Sequence, residues 1–358
     1  MADETSLWPL FSEDYEFATS YLNTQLREHS IFYRKGVFAH YLITLGQLES
    51  VQSRLNALHN NSQSQEQSHI INNLRFRIAR ANNECNPHQY LLADADKLSI
   101  QRLIETSKSL DISLHGGIGD YVEDLCFLIP WSKAQRIRLN LVMHHEMVPI
   151  FKTLFSNHHH IHYSNQTVGL KSFCLRWWIQ KHAPNMLLQD WAATTNNPIK
   201  RRNLLCCWRA EGYKDRFSIF NRSVKFQDVW TFYKKIKTSN RIDSIVDITN
   251  WDPKEIIRLE NIGITYKNPK HGNLADLIKM MNNHVAVSID TSLIHLCAAS
   301  GRKGILIASA NQDERWQELL HKKGCYQKNI KPMQSKEFCS FQALMKNLPT
   351  FLNDSIDR

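Results

Sequence analysis

Two short segments carry residue types suited to holding an anion and moving a proton. The first is His-Gly-Gly-Ile-Gly-Asp at 115–120. Its glycines, Gly116, Gly117 and Gly119, let the backbone take positive φ and approach a ligand with no Cβ in the way. The spacing is not that of a dinucleotide fingerprint, because Val122 occupies the place where a third glycine would be sought. Asp120 closes the turn, either as a helix N-cap or, if aimed into a crevice, as a base for a hydroxyl proton. The second segment is Asp290-Thr291-Ser292, with His295 one turn further on. Such residues are ordinary helix caps. The same place also suits phosphate: a helix N-terminus exposes unpaired N–H groups and roughly half a positive charge, and both hydroxyls can donate to a phosphate oxygen. His295 either packs within its helix or faces the same anion.

The elements around these segments explain how they would be positioned. An apolar run, Val285 to Ile289, precedes Asp290; a helical pattern follows as far as Gly301, and a second apolar run spans Gly304 to Ala308. Likewise "LDISLHGGIGDYVEDLCFLIPW" reads as a strand ending near Leu114, a glycine turn, and a helix ended by Pro130. Further strands are expected at 136–145, 159–163, Asn203–Trp208, Ser244–Ile248 and Ile262–Tyr266. Helices are expected at 147–155, 226–237, 252–260, 273–282 and 292–300. Strands alternating with helices predict an α/β fold with parallel sheets covered on both faces. Ligands of such sheets gather at the carboxyl ends of the strands. The segment 183–202 carries two prolines and several turn residues and reads as the crossing between two such units. Upstream, 12–58, 70–82 and 97–110 have helical periodicity, and 37–58 looks like one helix-turn-helix repeat without a second copy. "HNNSQSQEQSH", 59–69, reads as a flexible loop. The expected organisation is an α-helical leader (1–109), two α/β units (110–199 and 200–340) and a C-terminal helix (341–358).

Composition narrows the partners. At 358 residues the chain exceeds one ordinary core. No apolar run approaches the roughly 20 residues needed to span a bilayer, and the acidic N-terminus lacks the order of a signal peptide. The eight cysteines form no Cys-x-x-Cys, and several sit in apolar runs, which predicts reduced thiols and a cytoplasmic address. A net charge of +10 admits polyanions, but the basic residues are scattered, and the densest cluster is Lys200-Arg201-Arg202. With no nucleic-acid-binding motif present, nucleic acid is not the expected partner.

Three other clusters invite chemistry. "HHHIH" at 158–162 looks metal-binding, but alternate residues of a strand face opposite ways and no nearby acid or thiol completes a set. Arg176-Trp177-Trp178 reads as packing, and Cys206-Cys207 as part of a buried strand. The Asp-x-Asp at 94–96 lies in the helical leader, away from both turns. No metal site is expected.

Four segments occur in an order that resembles a known family. "GGIGDYVEDLCFLIPW" (116–131), "CWRAEGYKDRFSIFNRSVKF" (207–226), "GNLADLIKMMNNHVAVSIDTSLIHLCAASGRKGILI" (272–307) and "DERW" (313–316) are similar to the GT-B glycosyltransferases of the ADP-heptose:lipopolysaccharide heptosyltransferase type. They are closer still to the bacterial glycosyltransferase modules that follow tetratricopeptide repeats, with which the helical leader also agrees. The resemblance covers about residues 110–340. It implies two Rossmann-like domains facing a cleft, with the acceptor on the first and a nucleotide-sugar donor on the second. It places Thr291, Ser292 and His295 toward the donor diphosphate and Asp290 near the sugar or the helix cap. The glycine turn is counted with the donor-binding residues, and Asp120 matches the general base. Arg209, Lys214 and Arg222 are the basic candidates of the second-domain opening loop.

The implied reaction is transfer of a sugar from a nucleoside-diphosphate sugar to a hydroxyl of a saccharide, lipid-linked glycan or protein, inverting by analogy and without a metal or other cofactor. A different class of function, a non-catalytic module that senses nucleotide sugars or binds a partner through the helical leader, uses the same body. An epimerase shares the architecture, but its acid/base carboxylate sets are not evident.

Overall fold

A computed structural model describes residues 64–356 except 83, 156–157, 165–167, 193–201, 211–222, 240, 268–273, 309–314, 322–323 and 335–340, together with isolated positions between 39 and 55. The expected helices at 12–58 therefore lie largely outside the described residues. Within them the chain is α/β, with two parallel sheets and helices between and around them.

Among the elements fully described, α1 (Gln65–Ala81) and α2 (Asp94–Thr106) precede the first sheet. The expectation of a loop over 59–69 is corrected at its second half. Ser64 and Gln67 form a reciprocal capping box that starts α1 at Gln65, since each side chain satisfies a backbone N–H that the first turn leaves open.

The first sheet contains β1 (Ser109–Ser113), β2 (Arg138–Val142), β3 (Ile161–Tyr163) and β4 (Leu170–Lys171), in the order β3-β2-β1-β4. Between β1 and β2 runs α3 (Ile118–Gln135); α4 (Met147–Lys152) follows β2, and α5 (Ser172–His182) follows β4. Pro130 does not end α3, contrary to expectation. A proline removes the bond its N–H would make to the carbonyl four residues back. That carbonyl, on Cys126, instead accepts the N–H of Gln189, so the helix continues through the proline.

The second sheet orders its strands β10-β9-β8-β5-β6-β7. They are β5 (Asn203–Cys207), β6 (Ser244–Asp247), β7 (Thr265–Tyr266), β8 (Val285–Ser288), β9 (Gly304–Ala308) and β10 (Ile330–Gln334). Counted from β5 this is the 3-2-1-4-5-6 order of doubly wound dinucleotide-binding sheets. Its helices are α6 (Phe226–Thr238), α7 (Pro253–Asn261), α8 (Leu274–Met281), α9 (Ser292–Ala299), α10 (Arg315–His321), α11 (Cys325–Asn329) and α12 (Gln342–Ile356). Strand β10 escapes periodicity because "IKPMQ" alternates poorly and carries Pro332, which an edge strand tolerates.

Side-chain alternation along β5 splits the apolar residues between two cores. Leu204 and Cys206 face α6 and α12, whereas Leu205 joins a core shared by both sheets through α3 and α9. These two helices pack on each other and are apolar nearly all round, as a helix enclosed on every side must be.

Candidate active site

The carboxyl ends of both sheets bring one quoted turn to the point where strand order reverses. In the first sheet that point lies between β1 and β4; in the second it lies between β5 and β8. In an open parallel sheet such a reversal is where a ligand crevice forms, because the connections on either side run to opposite faces of the sheet.

The first turn leaves β1 with Gly116 at φ +103°, where a side chain would be strained and its Cβ would collide with the Asp120 carboxylate. Asp120 is not the N-cap of α3: Gly117 holds that place, and Asp120, three residues on, reaches back so that its Oδ2 accepts the Gly117 N–H at 2.8 Å. Its Oδ1 accepts from Arg315 Nη1 at 2.7 Å, and the side chain is 45% exposed. The bond back to the N-cap and contact with a second element are thus held by one residue. Gly119 faces the second turn, with no room for a Cβ beside the His295 ring.

The second turn follows β8. Thr291 is the N-cap residue of α9 by position, in extended backbone, but its hydroxyl makes no capping bond. Ser288 Oγ donates to the Cys207 carbonyl at 2.9 Å and lies 2.8 Å from Thr291 Oγ1. With the Ser288 proton committed, Thr291 donates to Ser288. Thr291 and Ser292 are half-buried. Asp290 is buried and paired with Arg315 Nη2 at 3.0 and 3.2 Å. His295 is 1% exposed; its Nδ1 lies 2.8 Å from the Tyr326 hydroxyl, its Nε2 3.5 Å from Asp290, and its ring packs on Trp316. It lies at the contact with Gly119, among buried groups.

Arg209 leaves the end of β5 on the other side of the same reversal. Its guanidinium stacks over Trp251 at 4.2 Å and donates to the Asn250 carbonyl and Glu255 at 3.3 and 3.4 Å. The loop is anchored by Trp208, whose indole donates to Tyr233, which donates to buried Asp247. Burial raises the Asp247 carboxyl above its ordinary range. Lys214 and Arg222 lie outside the described residues.

Arg315 and the cations beneath it carry no local pattern that marks them as a site: Arg315 stands within the Asp-Glu-Arg-Trp segment and Arg176 within a tryptophan cluster. Glu123 Oε1 accepts from Arg80 at 2.9 Å and from Arg176 at 2.7 Å, and its Oε2 lies 3.9 Å from Arg315. Glu318, fully buried, takes Arg80 and the Gln180 amide, and Arg176 also reaches Asp124. Burial would push the Glu123 carboxyl up, but the guanidinia of Arg80, Arg176 and Arg315 outweigh it and hold it at about 2. Burial raises Asp124 despite Arg176. Arg80 belongs to α1, Glu123 to α3 and Glu318 to α10, so one ion cluster joins the leader to both sheets' helices. The sequence signal was two adjacent acids, Glu123 and Asp124, inside an apolar helix, since buried acids require partners.

Among the described residues, His144, His145 and Glu146 bring potential metal-ligand atoms within 4.8 Å of one another on an exposed turn after β2. In the other histidine cluster, the His158 ring instead bonds the Trp191 carbonyl.

No protein-family profile matches the sequence, and no curated protein does. Among solved structures, the chain is similar to E. coli heptosyltransferase WaaC with ADP, with a TM-score of 0.45 and 12% identity over 69% of this chain and 99% of that one. It is also similar to E. coli heptosyltransferase WaaC with ADP-2-deoxy-2-fluoro heptose, with a TM-score of 0.43 and 11% identity over the same shares. At such distance, function has to be argued from this chain's own residues.

Proposed function

We propose that the protein is a glycosyltransferase that moves a sugar from a nucleoside-diphosphate sugar to an acceptor hydroxyl, with the donor on the second sheet (200–340) and the acceptor on the first (110–199). The observation that carries this reading is that Arg315 touches both Asp120 and Asp290, so the glycine turn and the hydroxylated turn share one site. The doubly wound strand order supports a nucleotide at the β5/β8 reversal.

In this reading the donor diphosphate lies against the N-terminus of α9, where the Thr291 and Ser292 hydroxyls flank unpaired backbone N–H groups. Thr291 turns its proton from Ser288 to the phosphate when the donor arrives. Arg209 supplies a cation from the neighbouring strand end. As the bond from sugar C1 to the diphosphate breaks, charge grows on the departing oxygen. Donors already aimed at it lower the barrier, and removing one such donor commonly costs about 2.7–4 kcal/mol. These groups can stabilise the leaving diphosphate without a metal ion. Asp120 takes the proton from the acceptor hydroxyl as its oxygen bonds to C1. His295 acts from behind, setting the position of Asp290 and of α3.

Incubation of the full chain with UDP-, ADP- and GDP-sugars, with and without EDTA, tests the reading. Release of nucleoside diphosphate that needs an acceptor and survives EDTA is expected. A second reading is favoured by the engagement of both Asp120 oxygens, one with an arginine: a nucleotide-sugar-binding module without turnover. It predicts thermal stabilisation by a donor and no release.

No helix among the described residues is long and apolar enough to cross a membrane.

A further inference from the structure

The role of Arg315 is not explained by either turn alone. Its Nη1 meets Asp120 and its Nη2 meets both oxygens of Asp290, so the planar fork is used on two acids from two helices. From beneath, Glu123 lies 3.9 Å away and is itself fixed by Arg80 and Arg176. The helix that carries Arg315 is pinned by buried Trp316 and by Glu318, which is held by Arg80. The guanidinium is only 11% exposed, whereas Asp120 remains 45% exposed. A half-buried cation, held by two acids, thus grips an acid that still reaches solvent.

We propose that Arg315 is a positioning residue that fixes the Asp120 carboxylate for proton transfer and masks the charge of Asp290 from an incoming diphosphate. This rests on the transferase reading above. Asp120 has two anchors, the Gly117 N–H and Arg315, so its plane is set while its outward lone pairs stay available. It accepts the hydroxyl proton as the acceptor oxygen bonds to C1, and the diphosphate departs with the electron pair of the broken bond; Arg315 exchanges no proton. Asp290 lies next to Thr291, and its unmasked charge would repel a diphosphate there. Asp290 is accordingly the counter-ion of Arg315.

Two measurements on the full chain test this. The first is a urea-unfolding cycle of Asp120→Asn and Asp290→Asn, in the wild-type background and in Arg315→Gln. A coupling of roughly twofold to a hundredfold in the unfolding equilibrium is expected with Arg315 present. It disappears in Arg315→Gln; absence of coupling in the wild-type background overturns the proposal whether or not the protein transfers sugar. The second is steady-state transfer with whichever of the UDP-, ADP- and GDP-sugars turns over. Arg315→Gln lowers kcat about 100-fold, as displacement of a reacting group does, and raises the donor KM. Adding Asp290→Asn restores KM but not kcat, and Arg315→Lys keeps KM with part of kcat. If the second substitution leaves KM raised, or if kcat is untouched by Arg315→Gln, the proposal fails. A wild-type chain that shows the coupling yet transfers from no donor refutes the transferase reading, and with it the service to Asp120. The two failures are thereby told apart.

Discussion

Gly119 and His295 are in van der Waals contact across the packing of α3 on α9: a Cβ built on Gly119 would lie 2.9 Å from His295 Cδ2 and 3.3 Å from Nε2. The ring cannot step aside, because Tyr326 holds its Nδ1 and Trp316 packs on its face. Gly119→Ala is therefore expected to cost about 1–3 kcal/mol, the usual penalty for overpacking. His295→Ala in the same chain should recover part of that loss. Urea unfolding of the two single variants and the double variant checks this; additive losses would show that the contact is not what limits the position.

Glu123 is the anion on which three arginines converge. Glu123→Gln removes its charge and leaves Arg80, Arg176 and Arg315 underneutralised in a buried site. Breaking a buried pair in this way costs about 3–5 kcal/mol. The urea midpoint should fall accordingly. Lys97→Ala, which removes an exposed pair with Asp94, should change it by under about 1 kcal/mol.

Acid should unfold the protein in two stages. Burial, with Arg176 next to it, keeps His88 well below its ordinary 6.5. Its contribution is present above pH 6.5 and is lost as pH falls below that value, where the unfolded chain takes the proton first. Glu123, held at about 2 against an ordinary 4.5, contributes fully above pH 4.5 and loses that contribution as pH falls toward 2. Asp124 and Asp247, both raised by burial, slope the other way, giving stability that is lost as pH rises through the carboxylate range. Stability measured by urea from pH 8 to pH 3 should decline from about pH 6.5 downward. His88→Gln should flatten the upper limb and spare the lower one.

Thr291→Val separates capping from binding. The hydroxyl makes no capping bond to the helix, so what is lost is its contact with Ser288 and with the Cys207 thiol, and folding should weaken by about 1 kcal/mol. Affinity for the nucleoside diphosphate that the wild type binds should fall about tenfold, the effect of losing one hydrogen bond of about 1.5 kcal/mol to a charged group. Calorimetric titration reads the difference. An unchanged affinity would remove Thr291 from the phosphate site.

Much of the organisation was legible because local chemistry reports it. Val285 to Ile289 and Gly304 to Ala308 are apolar runs bounded by turn residues, and they form the strands Val285–Ser288 and Gly304–Ala308. The errors arose where a distant group answered a local defect. Pro130 reads as a helix end until the Gln189 N–H satisfies the carbonyl it leaves open. Residues 65–69 read as loop because polarity masked a capping box at Ser64. Arg176-Trp177-Trp178 reads as packing, and the tryptophans do pack, but Arg176 is a buried counter-ion for Glu123 and Asp124.

The sequence by itself determined most of the strands and helices around the site and the two turns that carry chemical groups, but not the helix Arg315–His321 or β10. What it determined follows from periodicity and from backbone freedom at glycine, both of which act over a few residues. Only the tertiary structure decided which cation answers which acid. Arg315 meets Asp120 across 195 positions of chain, and the packing of α3 on α9 brings Asp120 and Asp290 to one guanidinium. Charge pairing is a property of distance in space, and no spacing along the chain encodes it.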